Sequence, residues 1–303
     1  MVKVDRANRS VAARYFSPRE LAAAIGVSES SLKRWADEGR LAVERTAGGH
    51  RRIALAEAVR FVRQAGLAVV RPELLGPAAV GVEWAQGELT DTADERLFRA
   101  LLGDHAAEAR SLIVSHYLEG ASLGWLFDGP IRCALERMGE MWSHDERGIF
   151  LEHRATETCL RALGELRPLL PRPHAGSPVA IGGAYGGDVY QVPSTMAALV
   201  LAEAGFHERN LGADTPVEAI LAAIRHYHPR IVWQSFSAPL PNPRSVLSSL
   251  ERIVDAMGPA VLVVGGRASA SVPLPASASV HRLDSMTELA AFARGLRSPA
   301  VES

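Results

Sequence analysis

The chain has 303 residues, 48% of them hydrophobic and 22% charged, which is enough for two or three globular domains and excludes disordered and collagen-like classes. Only Cys133 and Cys159 occur, in no metal-ligand spacing, and no apolar core of a signal peptide follows Met1. With no apolar run of about 18 residues to span a bilayer, a cytoplasmic protein without a membrane partner is expected.

The net charge of −1 conceals an asymmetry. Residues 1–71 hold 14 Lys and Arg against 7 Asp and Glu, a charge of +7, which leaves 19 against 27, or −8, for the remainder. One end is suited to meet a polyanion and the other is not.

After a flexible tail over 1–13, Ser17-Pro18-Arg19-Glu20 carries the signature of a helix start, with a capping serine, proline at the first position and glutamate completing a capping box. Gly26 ends that helix in a tight turn. Ser28 opens a second one, whose Leu32 and Trp35 face inward and whose Ser30, Ser31, Lys33 and Arg34 face outward toward a groove and its phosphates. Leu41 to Ile53 then reads as two short strands around Gly48-Gly49 with a basic far edge, a wing. A third helix spans Leu55 to Gln64 and stops near Gly66. A small helical module with a basic face, of the excisionase kind, is the other reading of this pattern, and it too binds DNA.

Residues 14–71 resemble the MerR-type winged helix. The resemblance implies a recognition helix in the major groove of double-stranded operator DNA, with Thr46, His50, Arg51 and Arg52 on the wing contacting the backbone. The long dimerising coiled coil of standard MerR proteins is missing, so a homodimer or homotetramer has to be built elsewhere.

Residues 72–90, with Pro72, Gly76, Pro77, Gly81 and Gly87, read as a linker. Four helical patterns follow within 91–172, at about 91–102, 104–119, 122–142 and 149–170, and a four-helix bundle packs them economically. Trp142 ends one of them, and Glu152 and His153 lie in the first turns of the next. That spacing resembles the helical cap of the CarH/LitR light-sensing repressors. The resemblance implies that Trp142 covers the upper face of adenosylcobalamin, that Glu152 and His153 line the same pocket, and that His153 takes the metal once light removes the adenosyl group. Asp104, His105 and Glu108 share a helical spacing but read as a solvated face, and His116 and His144 as ordinary surface or core histidines.

From Pro173 to the end, alternating patterns place strands near 178–183, 206–211, 230–237, 260–265 and 279–283, with helices near 193–205, 215–227, 243–257 and 285–296. They specify a flavodoxin-like, Rossmann-type sheet of five parallel strands, whose ligands meet the loops at the carboxyl ends. Those loops resemble a cobalamin-binding domain. Asp188 follows the first strand, Ser235 and Ser237 the third, and Gly265-Gly266 the fourth, where glycine lets the backbone approach a nucleotide tail.

The family pattern of Asp or Glu, any residue, His, two residues, Gly is altered: Asp188, Tyr190 and Pro193 stand in those places. Imidazole held by a carboxylate is a good cobalt ligand, whereas a phenol of pKa about 10 stays protonated and is a poor one. Three roles remain for Tyr190: packing on a tetrapyrrole, ligating ferric iron as in catalase-type haem sites, or filling a vacated pocket. With no histidine below the ring, His153 is the imidazole left to bind a cobalt or iron.

The expected function is a DNA-binding transcriptional regulator, a repressor, with a sensor module for cobalamin (adenosylcobalamin or hydroxocobalamin) or another tetrapyrrole. Light is the expected signal, and ligand-coupled oligomerisation the expected output. The alternative is the same regulator controlled by another ligand or by a protein antirepressor. A corrinoid carrier for a methyltransferase is a third reading, opposed by the winged helix. No Ser/His/Asp, paired-carboxylate or thiolate arrangement supports independent catalysis, so an enzyme is not expected.

Overall fold

The computed structural model describes residues 14–75, 92–141, 146–238 and 242–297. The chain divides into two compact units.

In the N-terminal unit, α1 (Pro18–Ile25) begins with the anticipated capping box: the Ser17 N–H donates to Glu20 Oε2 at 2.7 Å, and the Glu20 N–H donates to Ser17 Oγ at 3.2 Å. Gly26 closes the helix at φ 69°, a left-handed conformation that glycine adopts at no steric cost. α2 (Glu29–Asp37) is capped by the Ser28 hydroxyl, which accepts from the Ser31 N–H. β1 (Tyr15–Phe16), β2 (Glu44–Arg45) and β3 (Arg51–Ala54) form a small antiparallel sheet in the order β1-β3-β2. β2 and β3 are the wing, while β1 is too short for the sequence to reveal.

α3 (Leu55–Ala65) stops at Gly66, where the sequence says it should. The packing then runs on past residue 71. The Val70 and Arg71 N–H groups both donate to Ala24 O, a 3-10 turn spans Pro72–Leu74, Leu75 is buried, and Arg14 donates to Leu74 O. Pro72 starts a docked turn that seals α1.

The C-terminal unit begins with a helical layer: α4 (Ala93–Leu102), α5 (Ala106–Leu118), α6 (Leu123–Leu126), α7 (Arg132–Met141) and α8 (Glu146–Leu166). α4, α7 and α8 pack on one another. Where the sequence reads one helix over 122–142, a π turn at Phe127–Ile131 separates α6 from α7. Pro130 lies inside it, and a proline there removes an N–H donor and crowds the preceding turn, which the wider π geometry relieves.

The sheet is β4 (Val179–Ala184), β5 (His207–Asn210), β6 (Ile231–Ser235), β7 (Val261–Gly265) and β8 (Val280–Arg282), all parallel, in the order β5-β4-β6-β7-β8. This is the flavodoxin-like order that the alternation of patterns specifies. α10 (Val217–Tyr227) and α11 (Pro243–Ala256) share one apolar core with the sheet, made by Ile181, Ile220, Ile224, Val232, Leu250, Leu262 and their neighbours. α9 (Val192–Glu203) and α12 (Met286–Arg297) pack together, and α6 and α8 reach them. α9 is apolar around its whole circumference because it packs against the sheet and the helical layer at once.

Two polar ties fix the helical layer to the α/β layer. Asp128, in the π turn, accepts from the Met286 N–H, the Thr287 N–H and the Thr287 hydroxyl, so a carboxylate on one layer satisfies the first turn of α12 on the other. Arg167 pairs with Glu208, a buried side chain on β5. Burial pushes the Arg167 guanidinium below its ordinary pKa, and the neighbouring Arg209 charge adds to the effect.

Candidate functional sites

The first candidate surface is the wing and second helix of the N-terminal unit. Arg19, Lys33, Arg45, His50 and Arg51 line one shallow concavity together with Glu29 and Asp37. Lys33 pairs with Glu29 at 2.7 Å and Arg51 with Asp37, all but Arg51 being well exposed. Such surface pairs are worth about 0–1 kcal/mol, so a phosphate can replace the carboxylate at little cost.

The concavity separates the residues expected from the sequence. Lys33, His50 and Arg51 are brought together, while Arg52 leaves by the other face of β3 and lies over the Tyr15 ring at 4.4 Å, as strand alternation requires. Arg34 is exposed and has Glu38 at 3.9 Å. Ser30 and Ser31 are hydrogen-bonded to the Ser28 hydroxyl at 2.8 and 2.9 Å, so both serve the helix start. Thr46 shapes the wing: its N–H donates to His50 O and its hydroxyl accepts from the His50 N–H. Arg19 and Arg45 belong to the same surface and were not singled out by the sequence, because only the fold brings α1 and β2 to the wing.

The second candidate site is the carboxyl edge of the five-stranded sheet. β4 and β6 are neighbours whose connections leave in opposite directions, which opens a crevice between the loops that follow them. Asp188 sits there, 5% exposed, with both carboxylate oxygens in use: Oδ1 accepts from the Tyr190 N–H at 3.0 Å and Oδ2 from the Ser237 N–H at 2.6 Å. The Asp188 carbonyl also accepts from the Asp214 N–H, and Asp214 Oδ1 from the Gly187 N–H. The Asp188 carboxylate thereby staples the loops after β4 and β6, and its carbonyl together with Asp214 ties in the loop after β5.

Tyr185 adds a further closure. Its ring stacks on Phe236 at 4.9 Å, its N–H donates to Ser235 O, and its hydroxyl donates to Ser249 Oγ. Arg267 crosses from the β7 loop, with Nε donating to Ser237 O at 2.8 Å and its guanidinium 5.4 Å from the centre of the Tyr190 ring. Beneath the edge, Trp233 is fully buried and donates to Ser194 Oγ, which in turn donates to Asn210 Oδ1.

The glycines of this region are already filled. A Cβ on Gly182 would collide with Trp233, one on Gly183 would strike the Thr215 hydroxyl, and one on Gly266 would meet the Phe236 carbonyl, while Gly265 has the Leu283 carbonyl 3.1 Å from where a Cβ would stand. The missing side chains make room for this protein's own atoms. Gly187 and Gly212 differ: at φ 89° and 93° they face open space, and Val189, Tyr190 and Leu211 on the same loops are exposed.

On the helical side, His153 is exposed and Glu152 half-buried on α8, and Ile149 and Phe150 stand exposed in the turn before them. Trp142 and His144 lie outside the described residues. His105, exposed, and Glu108, half-buried, pair at 3.4 Å. Among the described residues no cluster of three or more His, Cys, Asp or Glu side chains is suited to a metal ion. Burial pushes the Cys159 thiol up to about 12, so it is inert at neutral pH.

Residues 17–53 match the model of the MerR family regulatory proteins. Among curated proteins the chain is similar to dimethylamine corrinoid protein 3 of Methanosarcina mazei, 26% identical over 121 residues that make up 38% of this chain and 72% of that protein. Among solved structures the monomethylamine corrinoid protein of Methanosarcina barkeri superposes with a TM-score of 0.51 at 15% identity, covering 67% of this chain and 98% of that one. The chain thus joins a MerR-type helix-turn-helix domain to an α/β unit that has the fold of a corrinoid protein.

A nucleotide-tailed cobalamin is a poor fit to the edge as this chain builds it. The imidazole position is Tyr190, each Asp188 oxygen already accepts a backbone N–H, and the tail-side glycines are filled. The buried hydroxyls of Ser235 and Ser237, which have no partner, are the features of the tail side that still seek one.

Proposed function

We propose that this protein is a cytoplasmic DNA-binding transcriptional regulator, a repressor, whose C-terminal unit is a sensor for a tetrapyrrole-class molecule. The observation that carries the reading is the concave cationic surface where Lys33, His50 and Arg51 from α2 and the wing meet Arg19 and Arg45. Phosphate neutralisation supplies most of the affinity of such a surface, and the exposed side chains of α2 are left to read base edges. The match of residues 17–53 to MerR regulators and the corrinoid-protein fold of the α/β unit support the two halves of the reading.

A single winged helix makes few phosphate contacts, so a homodimer or homotetramer on the operator gains affinity through linkage. The sensor acts by changing that assembly, with light as the expected stimulus if the bound molecule is photolabile. His153 on α8 and Tyr190 on the sheet edge are the groups that face such a ligand from the two layers.

Two measurements test the reading. Binding of the full chain to duplex DNA should weaken steeply with salt, and Lys33→Ala should lower affinity on every sequence alike and reduce the salt slope by about 1. Binding without salt dependence would refute the assignment of the surface. Visible spectra of the protein with adenosylcobalamin, hydroxocobalamin and haemin, in the dark and after illumination, should show a bound chromophore. DNA binding unaffected by any of them would remove the sensor half.

A further inference from the structure

The carboxyl edge has two parts in opposite condition. Between the loops after β4 and β6 the protein has cross-linked itself, through Asp188 to the Ser237 N–H, the Tyr185 ring on Phe236, and Arg267 to Ser237 O. Gly266, in the loop where a glycine turn would admit a nucleotide tail, has the space of its missing side chain taken by the Phe236 backbone. The outer part, above β4 and β5, is open and apolar. Val189 is 74% exposed, Tyr190 38% and Leu211 39%, on adjacent loops joined by the Asp214 hydrogen bonds, with free space over Gly187 and Gly212. Arg267 stands beside this apolar surface, exposed, with its guanidinium against the Tyr190 ring.

We propose that this rim binds a flat tetrapyrrole that has no nucleotide tail and carries carboxylate side chains, the chemistry of haem and its metal-free relatives. The ring face lies on Val189, Tyr190 and Leu211, and a carboxylate meets the guanidinium nitrogens of Arg267 that are turned away from Ser237. The proposal rests on the reading of the C-terminal unit as a tetrapyrrole sensor and narrows its ligand. An apolar surface alone would accept many partners; the adjacent guanidinium selects an anion, because its planar fork matches a carboxylate with paired donors. The closed slot selects against a tail, since admitting one would break hydrogen bonds to the buried Asp188 carboxylate.

The test titrates the full chain with haemin, dicyanocobinamide, which is a corrin without the nucleotide tail and with neutral amide side chains, and cyanocobalamin, following the visible spectrum and tryptophan fluorescence. Haemin is expected to bind saturably, and cobinamide to bind within about threefold of cobalamin, because the tail gains nothing. Arg267→Gln is expected to weaken haemin about tenfold while leaving cobinamide unchanged. Cobalamin binding more than about tenfold tighter than cobinamide would mean that the tail is held through the Ser235 and Ser237 hydroxyls; that overturns the proposal and leaves the tetrapyrrole sensor standing. Equal loss of haemin and cobinamide in Arg267→Gln overturns the carboxylate contact. Binding of none of the three overturns both the proposal and the sensor reading.

Discussion

The wing surface and the carboxyl edge treat their charged groups in opposite ways. At the wing, Lys33 and Glu29 meet in water, where the pair is worth little and each partner remains available. At the edge, Asp188 is buried and both its oxygens are committed to backbone N–H groups. A charge left in solvent can be exchanged for an incoming phosphate, whereas a buried one becomes part of the scaffold. Binding capacity follows from which polar groups the fold leaves unspent.

The largest effect that would break this comparison is expected from Trp233. Trp233→Ala leaves a cavity between α9 and the sheet and removes the indole N–H that donates to Ser194 Oγ, and should cost about 4 kcal/mol in urea unfolding. A loss below about 1 kcal/mol would show that the edge is not built on a packed floor. Asp188→Ala should follow at about 3 kcal/mol, because two hydrogen bonds to a charged acceptor vanish and two N–H groups lose their partner. Stability unchanged in that variant would return Asp188 to the pool of free ligand-orienting groups.

Smaller effects are expected at the other region. Ser17→Ala removes the cap of α1 and should cost about 1 kcal/mol. Glu20, the other half of the capping box, has its carboxyl held below its ordinary value of 4.5, first by the Ser17 N–H and then by the Ser17 hydroxyl. A lowered folded-state pKa means that its contribution is full above about pH 4.5 and fades as pH falls through the lower folded value. The gap between the wild type and Glu20→Ala should therefore shrink in acid, as acid titration of unfolding would show. Lys33→Ala sits at the end of the scale, with a stability change under about 0.5 kcal/mol despite its effect on DNA. A larger loss would make Lys33 structural and erase the contrast between the two regions.

The N-terminal unit was legible in detail because its signals are local. A capping serine, its glutamate three residues on and a glycine stop all lie within one helix, and Ser17, Glu20, Gly26 and Gly66 stand where those rules place them. The order of the parallel sheet was legible because alternating strands and helices leave few right-handed topologies. The π turn at Phe127–Ile131 was not: Pro130 is visible, but neither the wider turn around it nor the docking of Asp128 on α12 has a local signal.

The carboxyl edge was legible as a location and illegible as a chemistry. Tyr190 shows from the sequence alone that the usual metal ligand is replaced. In the sequence Arg267 is one residue after two glycines and Trp233 one apolar residue in a strand, yet these two define the rim and its floor. The glycines mislead most, because Gly265 and Gly266 look the same in sequence whether they clear space for a ligand or for the backbone of Leu283 and Phe236.

The sequence by itself determined the kinds of domain, their order, the caps and glycine stops of the N-terminal helices and the tyrosine at the histidine position, since these depend on periodicity, capping and residue identity along the chain. Only the tertiary structure decided that Asp188 is spent on the loops, that Lys33, Arg51 and Arg19 share a surface, and that Arg267 stands over Tyr190. Those relations join residues tens of positions apart, and their distances exist only after the strands and helices have packed.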